Sequence, residues 1–177
     1  MPMTPAEIAE DVYACWKAGA AVAHLHMRDD DGNGTMDKEK FAETIRLLRT
    51  NHPDCDIILN LTTSGDIYAN DETRQIHLQE QRPEMASYDC GSMNWMNSVL
   101  FINSPKFLEE LGHNMQEWGV CFLYYHCPSC GKKFKYATDM IPVFGPQFGE
   151  CPSCGIPGTL DKEGARTADD LDYEEIE

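Results

Sequence analysis

The chain has 177 residues with 30 acidic and 14 basic side chains, so its formal net charge is −16. Hydrophobic residues make up 42% of it, enough for a packed core, which excludes wholesale disorder. There is no run of roughly 18 apolar residues and no signal-peptide pattern, so we expect no membrane helix and predict a cytoplasmic protein. The acidic balance disfavours general nucleic-acid binding, because the chain repels phosphate backbones.

Residues 1–125 alternate predicted helices with predicted strands, which is typical of a parallel sheet built from βα units. The expected fold class is therefore α/β. Strand 56–61 is almost continuously apolar, so we expect it to be buried on both faces. The predicted helices span 5–17, 38–50 and 104–117, and the predicted strands span 20–26, 56–61, 85–88, 99–102 and 120–125.

Two histidines stand at the end of the first predicted strand. His24 and His26 are two positions apart, so both imidazoles point to one face of the sheet. Function in parallel α/β folds gathers at the ends of strands, and a pair of imidazoles there suits zinc or a similar ion. A catalytic zinc needs three protein ligands, so spacing alone leaves open that the two are ordinary hydrogen-bonded histidines.

Hydroxyl groups and glycines follow the next two strands. The segment 60–65 reads Asn-Leu-Thr-Thr-Ser-Gly, and Ser87 and Asp89 lie on one face of the third strand. Hydroxyls and backbone amides at such an edge can hold a carboxylate or carbonyl without a fixed charge. A simple turn explains segment 60–65 equally well from sequence alone.

Four ordered motifs carry a family resemblance. Residues 24–29, 60–65, 83–87 and 91–95, in this order and spacing, resemble the β-keto acid cleavage enzymes of the 3-keto-5-aminohexanoate type. The match covers about residues 2–125. The resemblance implies a zinc-dependent TIM barrel that exchanges an acyl group between a β-keto acid and acetyl-CoA. Acetoacetate and a new acyl-CoA would be the products.

The resemblance also implies roles for individual residues. His24 and His26 match two zinc ligands of the family, and Thr62, Gly65 and Ser87 match positions that hold the keto acid. Asp89 stands where the family usually has Asn, which would add a negative charge near an anionic substrate. No residue here is assigned as a catalytic acid or base.

The matched region supplies only part of a barrel. A TIM barrel needs eight βα units in roughly 250 residues, about twice what the match covers. From the resemblance, we expect the matched region to lack the family's first strand, its third zinc ligand (a Glu) and its later Arg and Asp. We therefore expect a partial sheet with open edges and one uncovered face. A homo-oligomer or a second chain would complete it, and we expect the truncated barrel alone to be inactive.

Four cysteines form two Cys-x-x-Cys pairs: Cys127 with Cys130, and Cys151 with Cys154. Twenty residues separate the pairs, which predicts a closed tetrahedral zinc site in a zinc-ribbon-like module at 126–160. A rubredoxin-like iron site is the alternative. The remaining cysteines are expected to be reduced thiols; they are Cys15, Cys55, Cys90 and Cys121.

Two further features belong to this C-terminal part. Residues 132–136 read Lys-Lys-Phe-Lys-Tyr, a basic-aromatic patch that could contact nucleic acid but is better explained as a ribbon hairpin with extended lysines. Residues 161–177 are strongly acidic and are expected to form a solvated tail. A non-catalytic metal-binding protein, with the ribbon as its complete unit, is the alternative function.

Overall fold

A computed structural model describes residues 1–95, 99–120, 122–137, 141–161 and 172–176. Within these ranges no helix is both long and apolar enough to cross a membrane. The elements in chain order are α1 (Pro5–Lys17), β1 (Val22–Leu25), β2 (Met27–Arg28), β3 (Gly34–Thr35), α2 (Lys38–Asn51), β4 (Ile58–Leu61), α3 (Ile76–Gln81), β5 (Met85–Ala86), β6 (Met93–Trp95), β7 (Val99–Phe101), α4 (Pro105–Glu117), β8 (Phe122–His126), β9 (Lys133–Ala137), α5 (Ile141–Phe144), β10 (Thr159–Leu160) and β11 (Glu174–Glu175).

The helix starts are set by side-chain caps. At α1 the Thr4 hydroxyl accepts from the Glu7 amide while the Glu7 carboxylate reaches back to the Thr4 amide, forming a capping box. The Asp37 side chain caps α2, and the Ser104 side chain caps α4. These three predicted helices are confirmed to within one residue at each end.

The first sheet is parallel, with the strand order β1-β4-β5. In its register His24 lies opposite Asn60, and Asn60 lies opposite Met85. The amide of Thr62 continues the ladder by donating to the Leu25 carbonyl at 3.2 Å, and the amide of Ser87 donates to the Leu61 carbonyl at 3.0 Å. The predicted α/β class is therefore confirmed, and the three strands end level with one another.

The helices cover one face of this sheet. Leu25, Leu59 and Leu61 are buried against apolar residues of α1, α2 and α4 in a single core cluster. On the other face Val22 is 43% exposed and His24 is exposed. The prediction that the strand at 56–61 is buried on both faces is wrong, because its residues alternate between buried and half-buried. The expected open face of a partial barrel is confirmed for these described strands.

The strand predicted at 120–125 does not join the first sheet. It forms β8, which lies in a second sheet with the order β10-β8-β9-β11. The expectation that this segment belongs to the parallel sheet of residues 1–125 is therefore wrong: its hydrogen-bond partners are the antiparallel neighbours β9 and β10 of the cysteine module. The basic-aromatic patch is β9 itself, a hairpin strand as favoured from the sequence.

Part of the acidic tail is also ordered against this sheet. Residues Glu174–Glu175 form β11 and pair in parallel with β9, where a solvated tail was expected. Residues 162–171 and 177 of the tail, and Cys121, lie outside the described residues. The strand predicted at 99–102 is β7. The short helix α3 and the strand β6, which pairs with β7 in a hairpin, were not predicted from the sequence.

Candidate functional site

The two histidines meet at the open face of the first sheet. The Nε2 atoms of His24 and His26 lie 3.0 Å apart, with the rings edge to face. Burial lowers the pKa of His26, and the neighbouring His24 lowers it further, so the neutral imidazole that binds metals is favoured. Asp89 acts in the opposite direction on this pKa, which places its charge in the neighbourhood of the pair. The structure thus brings the two predicted ligands together.

The donor set fits a borderline cation. Two nitrogens on one tetrahedral zinc lie about 3.3 Å apart, given Zn–N bonds of about 2.0–2.1 Å. The observed 3.0 Å between the two Nε2 atoms is close to that separation. Two imidazole lone pairs facing each other repel unless a proton or a cation lies between them. Among the described residues, no third His, Cys, Asp or Glu atom joins the pair to make a three-ligand group.

A cavity of about 400 Å³ opens beside the pair, between α1 and β1. Its walls are largely apolar and include Ile8, Val12 and Val22, while His24, His26 and Arg28 supply polar groups at one side. A concave apolar site with a few converging polar groups is the usual form of a small-molecule pocket. The histidine pair therefore faces space in which an organic ligand can lie.

The turn after β4 holds its own hydroxyls in place. Thr62 is buried, and its Oγ1 accepts from the Ser64 amide at 3.0 Å while lying 3.2 Å from the Ser64 hydroxyl. The Thr62 carbonyl accepts a hydrogen bond from Nε2 of His77, a residue of α3, at 2.9 Å. The turn is thus fixed by contacts on both sides.

Ser87 is joined to Thr63 rather than left free. Its Oγ accepts from the Thr63 amide at 2.8 Å and lies 3.1 Å from Thr63 Oγ1. Thr63 Oγ1 donates to the Ser87 carbonyl, also at 3.1 Å. Each hydroxyl has one proton, so the Ser87 proton can turn either to Thr63 or to a ligand. Thr63 therefore sets the orientation of Ser87, although no sequence signal distinguishes it from the other residues of its motif.

Gly65 lies where even a Cβ would be tightly packed. A Cβ on Gly65 would come within 3.0 Å of Met36 Sδ and 3.1 Å of the Thr35 carbonyl oxygen. From the other side, a Cβ on Gly34 would lie 2.1 Å from the Gly65 carbonyl oxygen. The loop after β1 and the turn after β4 are thus in backbone contact, and glycine at both positions permits it.

A buried arginine fastens the loops that surround these groups. Arg74 donates to the Thr63 carbonyl at 2.8 Å, to the Ile102 carbonyl at 3.1 Å and to Asn103 Oδ1 at 2.6 Å. Its guanidinium also lies over the rings of Phe101 and Phe107. Arg74 precedes a helix that the sequence did not predict, so no sequence signal marked it.

Asn60 adds an unpaired acceptor next to the histidines. It lies opposite His24 in the β1–β4 register, and its Oδ1 is buried with no hydrogen-bond partner among the described residues. A buried carbonyl oxygen without a donor is costly, which is typical of a ligand-facing position. In the sequence, Asn60 is distinguished only as the first residue of the 60–65 motif.

The four paired cysteines form a second site. Their sulfurs all lie within 4.8 Å of one another, which is the arrangement of a tetrahedral metal site. The Cys130 amide donates to the Cys127 sulfur at 3.4 Å, and this hydrogen bond is the main cause that lowers the pKa of Cys127 to about 6. The sequence prediction of a four-cysteine cluster is confirmed; of the other cysteines, Cys15, Cys55 and Cys90 are free thiols.

Comparison with known proteins agrees with this arrangement. The profile of the beta-keto acid cleavage enzyme family matches residues 1–127. The 3-keto-5-aminohexanoate cleavage enzyme of Fusobacterium nucleatum is 38% identical over 120 residues, covering 68% of this chain and 43% of the relative. The 3-dehydrocarnitine:acetyl-CoA trimethylamine transferase of Rhizobium meliloti is 33% identical over 141 residues, covering 68% and 46%.

The chain thus spans less than half the length of these relatives. Among solved structures, ObcA in a ternary complex with a C4-CoA adduct and oxalate matches with a TM-score of 0.61 and 20% identity. That match covers 76% of this chain and 40% of ObcA. At this identity the match shows a shared fold.

Proposed function

This chain belongs to the beta-keto acid cleavage enzyme family, and on that premise we propose that it carries the metal- and keto-acid-binding part of an acyl-exchange site. In the proposed reaction the acyl group of a β-keto acid passes to the sulfur of CoA. The acetyl group of acetyl-CoA takes its place, which gives acetoacetate. The observation that carries the proposal is the 3.0 Å approach of the His24 and His26 Nε2 atoms at the carboxyl end of β1.

His24 and His26 would hold the zinc ion. Bound there, zinc would polarise the keto group and stabilise negative charge on its oxygen. The Ser87 hydroxyl and the backbone around Thr62 and Gly65 would orient the keto acid by donating hydrogen bonds. Because these donors are neutral, they would add no second positive charge that competes with the zinc for the carboxylate. Thr63 holds the Ser87 oxygen by the 2.8 Å hydrogen bond from its amide.

A third metal ligand has to come from outside the described groups. Two imidazoles alone bind zinc weakly, and a catalytic zinc uses three protein ligands. The open face of the first sheet, on which His24 is exposed, gives a second chain access to the pair. We therefore propose that the active form is an assembly, either a homo-oligomer or a complex in which another chain completes the barrel.

The test is acyl exchange by the full, zinc-loaded chain. Deuterated acetyl-CoA is incubated with a panel of β-keto acids over a range of chain concentrations, and label in acetoacetate is followed by mass spectrometry. We expect turnover that rises more than linearly with chain concentration and is lost in His24→Ala and His26→Ala. His113→Ala, which removes an exposed histidine of α4, is the matched control and should leave turnover unchanged. No turnover by the zinc-loaded protein at any concentration contradicts the proposal.

A second candidate function rests on the cysteine cluster. Its four sulfurs already lie within 4.8 Å of one another, so this site needs no further ligand. In this alternative the chain is a metal-binding structural module, and the enzyme-like part serves as its scaffold. A closed four-thiolate site supplies folding free energy directly.

The identity of the bound metal and the stability of the second sheet test this structural role. We expect one tightly held zinc at the cysteines, whereas a rubredoxin-like site would hold iron and show thiolate-to-iron absorption. We expect Cys127→Ser and Cys151→Ser to abolish binding of this metal and to unfold the second sheet. Cys90→Ser, which changes an exposed free thiol, should keep both the metal and the folded sheet. Turnover that persists without this metal would show that the module does not serve the reaction.

A further inference from the structure

The C-terminal strand occupies the outer edge of the cysteine module. Glu174 lies opposite Phe134 and Glu175 opposite Lys135 in a parallel pairing of β11 with β9. The amide of Ile176 donates to the Lys135 carbonyl at 3.0 Å. The hydrogen bonds involve backbone atoms only, so the edge would accept any extended segment of suitable side chains.

Oppositely charged side chains face each other along this edge. Lys132 pairs with Glu174 at 2.6 Å, Lys133 with Asp172 at 3.5 Å and Lys135 with Glu175 at 3.6 Å. Three lysines within four positions form a positive strip on a chain whose net charge is −16. The strip therefore selects acidic residues in the strand that pairs with it.

An aromatic contact adds specificity to the charges. Tyr173 is 7% exposed and packs edge to face on Tyr124, with ring centroids 4.9 Å apart. Its hydroxyl donates to Asp161, and Lys133 Nζ lies 5.2 Å from its ring centroid. Ile176 packs against a different cluster, the one formed by Phe134 and the buried cysteines. The segment thus straddles the edge, with one anchor in each cluster.

We propose that the β9 edge is a recognition site for an extended acidic peptide with a tyrosine, and that residues 172–176 occupy it as a built-in competitor. The ligand is a partner protein that carries a segment of the Asp-Tyr-Glu-Glu-Ile type. Strand addition would supply affinity, while the lysine strip and the Tyr124 contact would supply specificity. This inference is independent of the proposed acyl exchange, because it uses neither histidine.

The pairing of β11 with β9 has the features of a contact that a partner can displace. Its ladder is two residues long. The acidic side chains of its ion pairs are 50–63% exposed, whereas the side chains of Lys132, Lys133 and Lys135 are 29%, 45% and 8% exposed. Exposed ion pairs contribute little free energy and are screened by salt. Residues 172–176 are tethered to the chain and therefore compete at an effective concentration of about millimolar. A partner on a separate chain consequently binds the β9 edge with a lower apparent affinity. Loosening the segment should reveal the site.

The experiment measures binding of a fluorescent peptide with the sequence of residues 171–177 to the full chain by polarisation. We expect Tyr173→Ala and, separately, Glu174→Lys to bind the peptide at least tenfold more tightly than the unchanged chain. Adding Lys132→Glu to Tyr173→Ala should reverse this gain. Adding Lys106→Glu, an exposed lysine of α4, is the charge-matched control and should preserve it. Glu174→Lys changes a half-exposed side chain, so it tests the site even if Tyr173→Ala fails to fold.

Three results would overturn the inference. The first is equal peptide affinity in the unchanged chain and both opened variants. The second is equal loss of binding in Lys132→Glu and Lys106→Glu. The third is self-association of the unchanged chain that the free peptide blocks, which would assign the edge to a second copy. Higher affinity in the opened variants that falls with added salt and with Tyr replaced by Ala in the peptide would support it.

Discussion

The Nε2 atoms of His24 and His26 face each other at 3.0 Å on the exposed face of a three-stranded parallel sheet. Their spacing suits two ligands of one cation, and the neighbouring strand ends bring Ser87, Thr63 and the unpaired Asn60 oxygen to the same edge. This relationship connects the family membership of the chain to a specific chemistry.

His77 makes stability depend on pH. Burial lowers its pKa from 6.5 to about 4, so the folded chain keeps it neutral while the unfolded chain protonates it below pH 6.5. The free energy of unfolding should therefore fall as the pH drops from 7 to 4, by at most about 3 kcal/mol from this group. His77→Gln, which keeps a donor for the Thr62 carbonyl, should flatten that part of the urea-denaturation profile. His113→Gln is the exposed control; an unchanged slope in His77→Gln would contradict the assignment.

Arg74 fixes the loops around the site. Arg74→Met leaves the Thr63 and Ile102 carbonyls and Asn103 Oδ1 without their donor, and each loss of a buried partner costs about 1–3 kcal/mol. We expect the free energy of unfolding to fall by about 3 kcal/mol, measured by denaturant titration. Arg46→Met, at an exposed position of α2, is the control and should change it by less than about 0.5 kcal/mol. Equal effects of the two changes would show that the three hydrogen bonds contribute nothing.

Gly34 maintains the approach of two loops. Gly34→Ala would place a Cβ 2.1 Å from the Gly65 carbonyl oxygen, so the Gly65 backbone must move. We expect a loss of about 2 kcal/mol in stability and a shift of the Gly65 amide resonance. Gly91→Ala is the matched control, because a Cβ there meets nothing within 4 Å. If Gly34→Ala leaves the Gly65 resonance in place, the close approach is not present in solution.

Local signals in the sequence predicted much of this structure. Caps such as Thr4-Pro5 and Ser104-Pro105 fixed helix starts, because the side chain that satisfies the first amides is adjacent in sequence. The Cys-x-x-Cys pairs predicted the cysteine cluster because the two ligands of each pair are close together in the sequence. Strand partners were less predictable, since β8 has the composition of a barrel strand and only its long-range hydrogen bonds assign it to the second sheet.

The supporting residues of the site were the least predictable. Arg74 and His77 act through carbonyl groups more than ten positions away, and such pairs leave no periodic or spacing signal. β11 was missed because its acidic composition is that of a solvated tail, whereas its backbone pairing with β9 and its ion pairs with Lys132 and Lys135 make it a strand. Composition describes a segment in isolation, whereas these contacts depend on what the fold places beside it.

Zinc stoichiometry by elemental analysis after exhaustive dialysis against trace zinc tests the central claim most directly. We predict two zinc sites per chain in the concentrated protein, one lost in the double variant His24→Ala/His26→Ala and the other in Cys127→Ser/Cys151→Ser. His113→Ala and Cys90→Ser should each retain both. A stoichiometry of one that the histidine double variant leaves unchanged would contradict metal binding by the histidine pair, and with it the proposed acyl-exchange site.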